Sequence, residues 1–377
     1  MTDKKSALAF YCSTSALGGL ELNLVRLAGW LQERGWKCTV VAPHHAPILQ
    51  EATGRGIPVR EIKQTAKYFD IGGALSLGRV LAELQADILL IRAPRDINLG
   101  ALTKTLFKFP ENIVYMQGMQ LGIRKRDLIH RWQFNRLDRW VASLEWLGSQ
   151  AKELAGIREE QLAIIPLSIE LHRFLDNSTG REDARRLLGV PDSATIVGNV
   201  GRLDRGKRQE DIIRAVALAQ KQQPERQFHI LLVGEETRDE RGGYSEELQR
   251  IAAEEELGAA LTIAPFRSDI EHAYAAMDMF VMSTPSETFG TVTIEAMASG
   301  VSVIAANGGG SPEILGNGTC GLLYEPGNSA SLAEEILRLK GSPDLQNRLA
   351  EAARQEARQR FSHVAACERF EALFRSL

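Results

Sequence analysis

The chain has 377 residues, 44% of them hydrophobic and 25% charged, with a formal net charge of -3. That length exceeds what one compact core usually holds, so two domains are expected. The slightly acidic balance argues against a general nucleic-acid binder. No apolar run approaches the ~20 residues of a membrane span, and the N-terminal run is too short for a signal peptide.

Short apolar runs alternate with helix-period segments. SALAFYC (6–12) reads as a strand, LELNLVRLAGWLQERG (20–35) as a helix closed by Gly35, and KCTVVAP (37–43) as a strand again. ADILLIRA (86–93), NIVYMQ (112–117) and RWVAS (139–143) continue the series. A polar, turn-rich stretch after Pro166 reads as a linker. A second series follows: ATIVGNV (194–200), QFHILLVG (227–234), ALTIAPF (260–266), MFVMST (279–284) and VSVIAA (301–306). Strands alternating with helices predict parallel sheets covered on both faces. The expectation is an α/β protein of two doubly wound, Rossmann-like domains facing across a cleft, residues 1–165 and 166–360. The amphipathic segment 361–377 is expected to pack back on the first domain. Cys12, Cys38, Cys320 and Cys367 lie far apart, which reads as free thiols in a reducing cytosol.

Ligands of open α/β sheets bind beyond the carboxyl ends of strands, where helix N-termini suit phosphate. Four strand-to-helix junctions carry unusual chemistry. In STSALGGLE (13–21), Gly18 and Gly19 open a helix, and either a tight turn or a phosphate approach explains them. In NVGRLDRGKRQEDII (199–213), Arg202, Lys207 and Arg208 precede a helix and could clamp a diphosphate; surface solvation is the plainer account. In SETFGTVTIEAMASG (286–300), Glu287 lies in a turn and Glu295 inside a helix, a pair of acceptors suited to hydroxyl-rich ligands. In AANGGGSPEIL (305–315), three glycines precede a Ser-Pro-Glu helix start, as a well-made turn or a loop close to a ligand.

GRLDRGK (201–207), SETFGTVTIEAMASGVSVIA (286–305) and GGGSPEIL (308–315) resemble the signatures of the retaining, GT-B-fold glycosyltransferases of family 4. Glu287 and Glu295 match the family's E-x7-E pattern, Arg202 and Lys207 its GRL-x(3)-K pattern, and Gly18, Gly19 and Glu21 its GG-x-E pattern. IPLSIELHRF (165–174) is similar to its interdomain segment, with Leu-Ser replacing Asn-Gly. The resemblance implies a nucleoside-diphosphate sugar as donor and substrate, with no cofactor. Arg202 and Lys207 would hold the diphosphate and Glu295 the ribose. Glu287, with the backbone of Thr288, Phe289, Gly290 and Thr291, would face the sugar. Phe266 and Arg267 would lie near the base, and Gly18 and Gly19 would close over the leaving phosphate or the acceptor. The family is metal-independent, in keeping with the lack of any D-x-D triplet in the sequence. Family members often carry a histidine after a central strand of the first domain; here Gln117 stands there, a possible sugar contact that cannot shuttle a proton.

The implied activity is transfer of a sugar to an acceptor hydroxyl in cell-surface glycan or lipopolysaccharide-type synthesis. A sugar-nucleotide epimerase and a non-catalytic sugar-nucleotide binder of the same fold are the alternatives. The segment 122–141 concentrates Arg124, Lys125, Arg126, Arg131, Arg136 and Arg139 against Asp127 and Asp138, interleaved with Leu128, Ile129, Trp132, Phe134 and Trp140. One account is a solvated helix with its aromatics in the core. The other is a face for anionic lipid or a lipid-linked glycan acceptor, on a cytoplasmic protein peripheral to the inner face of a membrane.

Overall fold

The computed structural model describes residues 7–64, 66, 69–175, 180–236 and 243–377. The chain divides into two units: one runs to Leu167 and takes in His363–Leu377, the other is Ser168–Ser362.

The first unit is built on a seven-stranded sheet of order β3-β2-β1-β4-β5-β6-β7. Its strands are β1 (Ala7–Tyr11), β2 (Lys37–Pro43), β3 (Val59–Ile62), β4 (Ile88–Ile91), β5 (Asn112–Met116), β6 (Arg139–Ala142) and β7 (Leu162–Ile164). Every neighbouring pair is parallel. The central strands read as unbroken apolar runs because helices cover both faces: all four residues of β4 are buried. One face packs on the Gly19–Glu33 helix through Leu24, Ala28 and Leu31. The other packs on Leu77, Leu81, Leu99 and Phe134.

The second unit has six parallel strands in the order β10-β9-β8-β11-β12-β13. They are β8 (Thr195–Val200), β9 (Phe228–Val233), β10 (Leu261–Ala264), β11 (Met279–Met282), β12 (Ser302–Ala306) and β13 (Leu322–Tyr324). Ile212, Ile213, Val216, Leu332 and Ile336 pack on one face.

The His363–Arg375 helix belongs to the first unit, where Cys367, Phe370 and Phe374 join the core that holds Leu24 and Trp36. The Trp36 and Phe374 rings meet edge to face at 5.3 Å. Glu371, 5% exposed, accepts from Trp36 Nε1 at 3.0 Å and from Arg34 Nη2 at 2.9 Å, so its buried charge is paired. All four cysteines are free and buried. Among the described residues, no helix is long and apolar enough to cross a membrane.

Candidate functional site

Strand order in the second unit reverses direction between β8 and β11, the topological switch point at which open α/β sheets bind ligands. The β8–β11 ladder is only two residue pairs long, Met279 with Val197 and Phe280 with Gly198. Beyond it Asn199, 4% exposed, reaches across and donates from Nδ2 to Val281 O at 2.8 Å. Past this amide the turns after β8 and β11 meet through Lys207 and Glu287.

After β8 the chain turns at Gly201 and forms a single tight turn, Arg205–Lys207, before the Gln209–Gln222 helix. Two buried side chains fix that turn from below. Gln209 Nε2 donates to Arg202 O at 2.9 Å, and Ser283 Oγ at the end of β11 donates to Lys207 O at 2.7 Å. Lys207 Nζ then lies 2.7 Å from Glu287 Oε2, and Thr288 N donates to Glu287 Oε1 at 3.0 Å. Both carboxylate oxygens of Glu287 are therefore engaged. The Arg202 side chain is 68% exposed and 3.9 Å from Asp204. Arg208 differs from the expected clamp: it forks onto Asp211 at 2.6 and 2.8 Å and closes the helix start instead.

Glu295 lies inside the Thr291–Ser299 helix, half-buried, and accepts from Tyr274 Oη at 2.8 Å. Tyr274 is fully buried, and desolvation with the neighbouring carboxylate pushes its hydroxyl well above the usual range, so it stays a donor. Phe289 is a core residue, 4% exposed, with its ring 6.0 Å from that of Phe361, which leaves only its backbone for a ligand. Gly290 caps the helix at φ 73. Phe266 is 70% exposed, whereas Arg267 forks onto Asp269 at 3.0 and 2.7 Å and holds that carboxyl below its usual range.

The glycines of 308–310 do not face open space. A Cβ on Gly308 would come 2.1 Å from Pro285 O, and one on Gly309, at φ 61, 2.3 Å from Glu287 O. Gly310 N donates to Glu287 O at 2.7 Å. They let the loop after β12 clamp the backbone of Glu287, as the turn reading of that motif requires. Gly310, not Ser311, occupies the cap of the short Ser311–Ile314 helix.

In the first unit, Gly18 caps the Gly19–Glu33 helix and donates from N to Glu21 Oε2 at 2.9 Å; nothing lies within 4 Å of a Cβ built on Gly19. Gln117 departs from the expected sugar contact. It is 1% exposed, with Oε1 accepting from Trp140 Nε1 at 2.8 Å and Nε2 donating to Met119 O at 3.0 Å, so its amide ties the end of β5 to β6. Two buried groups beside the switch point between β1 and β4 have no motif to announce them. Arg92, 3% exposed, has Nε and Nη2 buried without a hydrogen-bond partner among the described residues, and desolvation lowers its guanidinium to about 10. Asp96 is fully buried and accepts from Ser13 N at 2.9 Å and from Ser13 Oγ, yet burial raises its carboxyl to about 6. A polar letter inside an apolar run, as at Asn199 and Arg92, was the available signal.

Two family descriptions together match most of the chain: Glycosyltransferase Family 4 over residues 17–173 and Glycosyl transferases group 1 over residues 180–356. The chain belongs to the family-4-like glycosyltransferases. A D-inositol 3-phosphate glycosyltransferase of Nocardia farcinica is 27% identical over 374 residues, covering 89% of this chain and 80% of that protein. The fold is of the GT-B type. A glycosyltransferase from Rickettsia africae superposes with a TM-score of 0.87 at 20% identity, over 99% of this chain and 98% of that one. HepE of Anabaena, solved in complex with UDP, gives 0.86 at 23% identity over 98% and 100%. With the family in hand, the Lys207–Glu287 pair and Glu295 fall on the glycosyltransferase's sequence signature and also on the switch point of its second sheet.

Proposed function

We propose that this glycosyltransferase takes its sugar from a nucleoside diphosphate and transfers it with retention to an acceptor hydroxyl of a glycan or lipid-linked molecule. The observation that carries the reading is the Lys207–Glu287 contact of 2.7 Å across the β8–β11 switch point. An ammonium there meets the diphosphate as a point charge, and Arg202, solvent-facing beside it, adds a second cation. These charges stabilise the leaving diphosphate without a metal ion. Glu295, oriented by Tyr274, accepts from the ribose hydroxyls.

Glu287 binds the transferred sugar. Its two oxygens are held by Lys207 Nζ and by a backbone N–H, which lowers its nucleophilicity and favours front-face transfer over a glycosyl-enzyme. In the front-face route the acceptor O–H attacks the anomeric carbon as the C–O bond to the diphosphate breaks. The departing phosphate oxygen takes the acceptor proton. HepE, of the same fold, has been solved with UDP-glucose, which puts UDP-sugars first in a donor panel. The test is acceptor-free hydrolysis of that panel, with the product anomer read by NMR. Release of the inverted anomer, or no hydrolysis of any nucleoside-diphosphate sugar, sinks the reading.

A membrane-facing role for 122–141 is proposed in narrower form than the sequence suggested. Phe134 and Trp140 are core residues, but Ile123 and Leu128 are 68% and 81% exposed beside Arg124, Lys125 and Arg126. Each basic residue near an anionic surface adds about 1 kcal/mol. Vesicle co-sedimentation should show stronger binding to anionic than to neutral lipid. Equal binding to both excludes it.

A further inference from the structure

The first unit holds a cavity of about 710 Å³, within the roughly 300–1,000 Å³ typical of small-molecule sites. Its floor and walls are aromatic and aliphatic: Tyr115, Phe134, Trp140 and Ile97 are each at most 5% exposed. The Tyr115 and Trp140 rings meet edge to face at 4.5 Å, and those of Phe134 and Trp140 at 5.3 Å. A set of rings already packed against one another keeps its shape when emptied, so the cavity is preformed.

The floor is not wholly apolar. Asn98, 4% exposed, accepts from Phe69 N at 3.0 Å through Oδ1, while its Nδ2 is buried and has no hydrogen-bond partner among the described residues. A buried amide N–H left unpaired costs about 1–3 kcal/mol, which an acceptor atom on a guest would recover. The mouth has a different character. Lys125 lines it, and no described residue pairs with its ammonium. Arg95 also lines it and donates to Ser13 O at 2.5 Å. Asp127 is the one carboxylate among the described lining residues. Hydrogen bonds from His130 Nδ1 and from the N–H groups of Ile129 and His130 hold it in its ionised form, so the mouth sets one carboxylate against the two cations Lys125 and Arg95. The half-exposed Ile129 completes the rim.

We infer that this cavity binds a mainly apolar, ring-bearing molecule that carries an oxygen acceptor at its buried end and a negative charge at its mouth. The aromatic walls supply area, Asn98 Nδ2 the buried hydrogen bond, and Lys125 the charge at the rim. Occupancy needs no donor nucleotide, because every residue named belongs to the first unit.

The test is a titration of the full chain with 8-anilino-1-naphthalenesulfonate, read by energy transfer from tryptophan. Trp140 on the cavity floor is one of five tryptophans, so the variants and the UDP competition, and not the signal itself, locate the site. One saturable site is expected, unaffected by saturating UDP. Lys125→Glu should weaken it about tenfold, and Leu121→Trp, which fills the cavity, should abolish it. Lys221→Glu, the same charge change on the second unit, should leave it unchanged. Melting curves of the variants that overlay that of the parent chain exclude unfolding as the cause. The inference is overturned if both cavity variants bind as the parent does, if UDP displaces the probe, or if a straight-chain alkyl sulfate binds more tightly than the ring probe.

Discussion

Lys207 and Glu287 neutralise each other in the unliganded protein, so a ligand phosphate must share or displace that pairing. Lys207→Ala should weaken nucleoside diphosphate binding by ~1–3 kcal/mol, the size of one charge-assisted hydrogen bond. Calorimetry showing unchanged affinity for UDP, GDP and ADP alike would remove Lys207 from the site. The two glutamates should separate: Glu295→Gln weakens free nucleotide, whereas Glu287→Gln leaves it nearly intact and slows turnover. Equal effects on free UDP contradict that division. Asp96 offers a pH test. Its folded carboxyl is raised to about 6 by burial, above the ordinary ~3.9 of an unfolded aspartate. The folded state therefore holds the extra proton between those values, and this contribution falls as pH rises through the window and is flat above it. About two units correspond to up to ~3 kcal/mol. Asp96→Asn, which mimics the protonated form, should gain melting temperature relative to the parent at pH 7 and lose that advantage at pH 4. A difference that does not change with pH would show that Asp96 is not the titrating group.

At the scale of elements, two loops hold the Lys207–Glu287 pair, while Glu295 comes from the Thr291–Ser299 helix. The tight turn Arg205–Lys207 is pinned by Gln209 and Ser283, and the Glu287 turn by the 308–310 glycines. Gly309→Ala combines a strained φ of 61 with a Cβ placed 2.3 Å from Glu287 O. The neighbouring atom is backbone, so the turn itself must move, and Glu287 moves with it. Donor turnover should fall more than tenfold, as a misplaced reacting group commonly does. Turnover at the parent rate would mean that the glycine loop does not set the position of Glu287. The same contact shows why the sequence left that motif open between two readings. A triple glycine after a strand looks alike whether its close neighbour is a ligand or another stretch of chain, since both require a missing side chain. Ten of the described strands were legible as apolar runs because parallel strands are buried on both faces, and Glu287 and Glu295 through their spacing; Val59–Ile62, Leu162–Ile164 and Leu322–Tyr324 were not, being edge strands of three or four residues. Gln117 was not, because its partner Trp140 is 23 residues away and leaves no periodic trace. Nor was the cavity over Trp140, which exists only where β5 and β6 meet the helix after Asp127.

Across the whole molecule, each unit has its own parallel sheet and its own core, and the chain passes from one to the other at Leu167–Ser168 and returns at Ser362–His363. The returning helix is part of the first core: Phe374 is 6% exposed against Trp36. The predicted nucleotide site and the ring-binding cavity lie in different units, so their ligands should leave different footprints on backbone exchange. A ligand that binds only the folded form stabilises it in proportion to its saturation, and amides in contact with it gain the most protection. UDP should slow exchange in the turn after β8, in 286–291 and at the start of the Thr291–Ser299 helix. An aromatic sulfonate should slow it around 118–134 and at Asn98, with the second unit unchanged. Hydrogen exchange with each ligand alone decides the point. If UDP protects the segment after β5 as strongly as the turn before Gln209, the nucleotide is not held by the β8–β11 crevice alone. Lys207→Ala should erase the UDP footprint while leaving that of the sulfonate intact; loss of both footprints in that variant would show that the two sites are not separable.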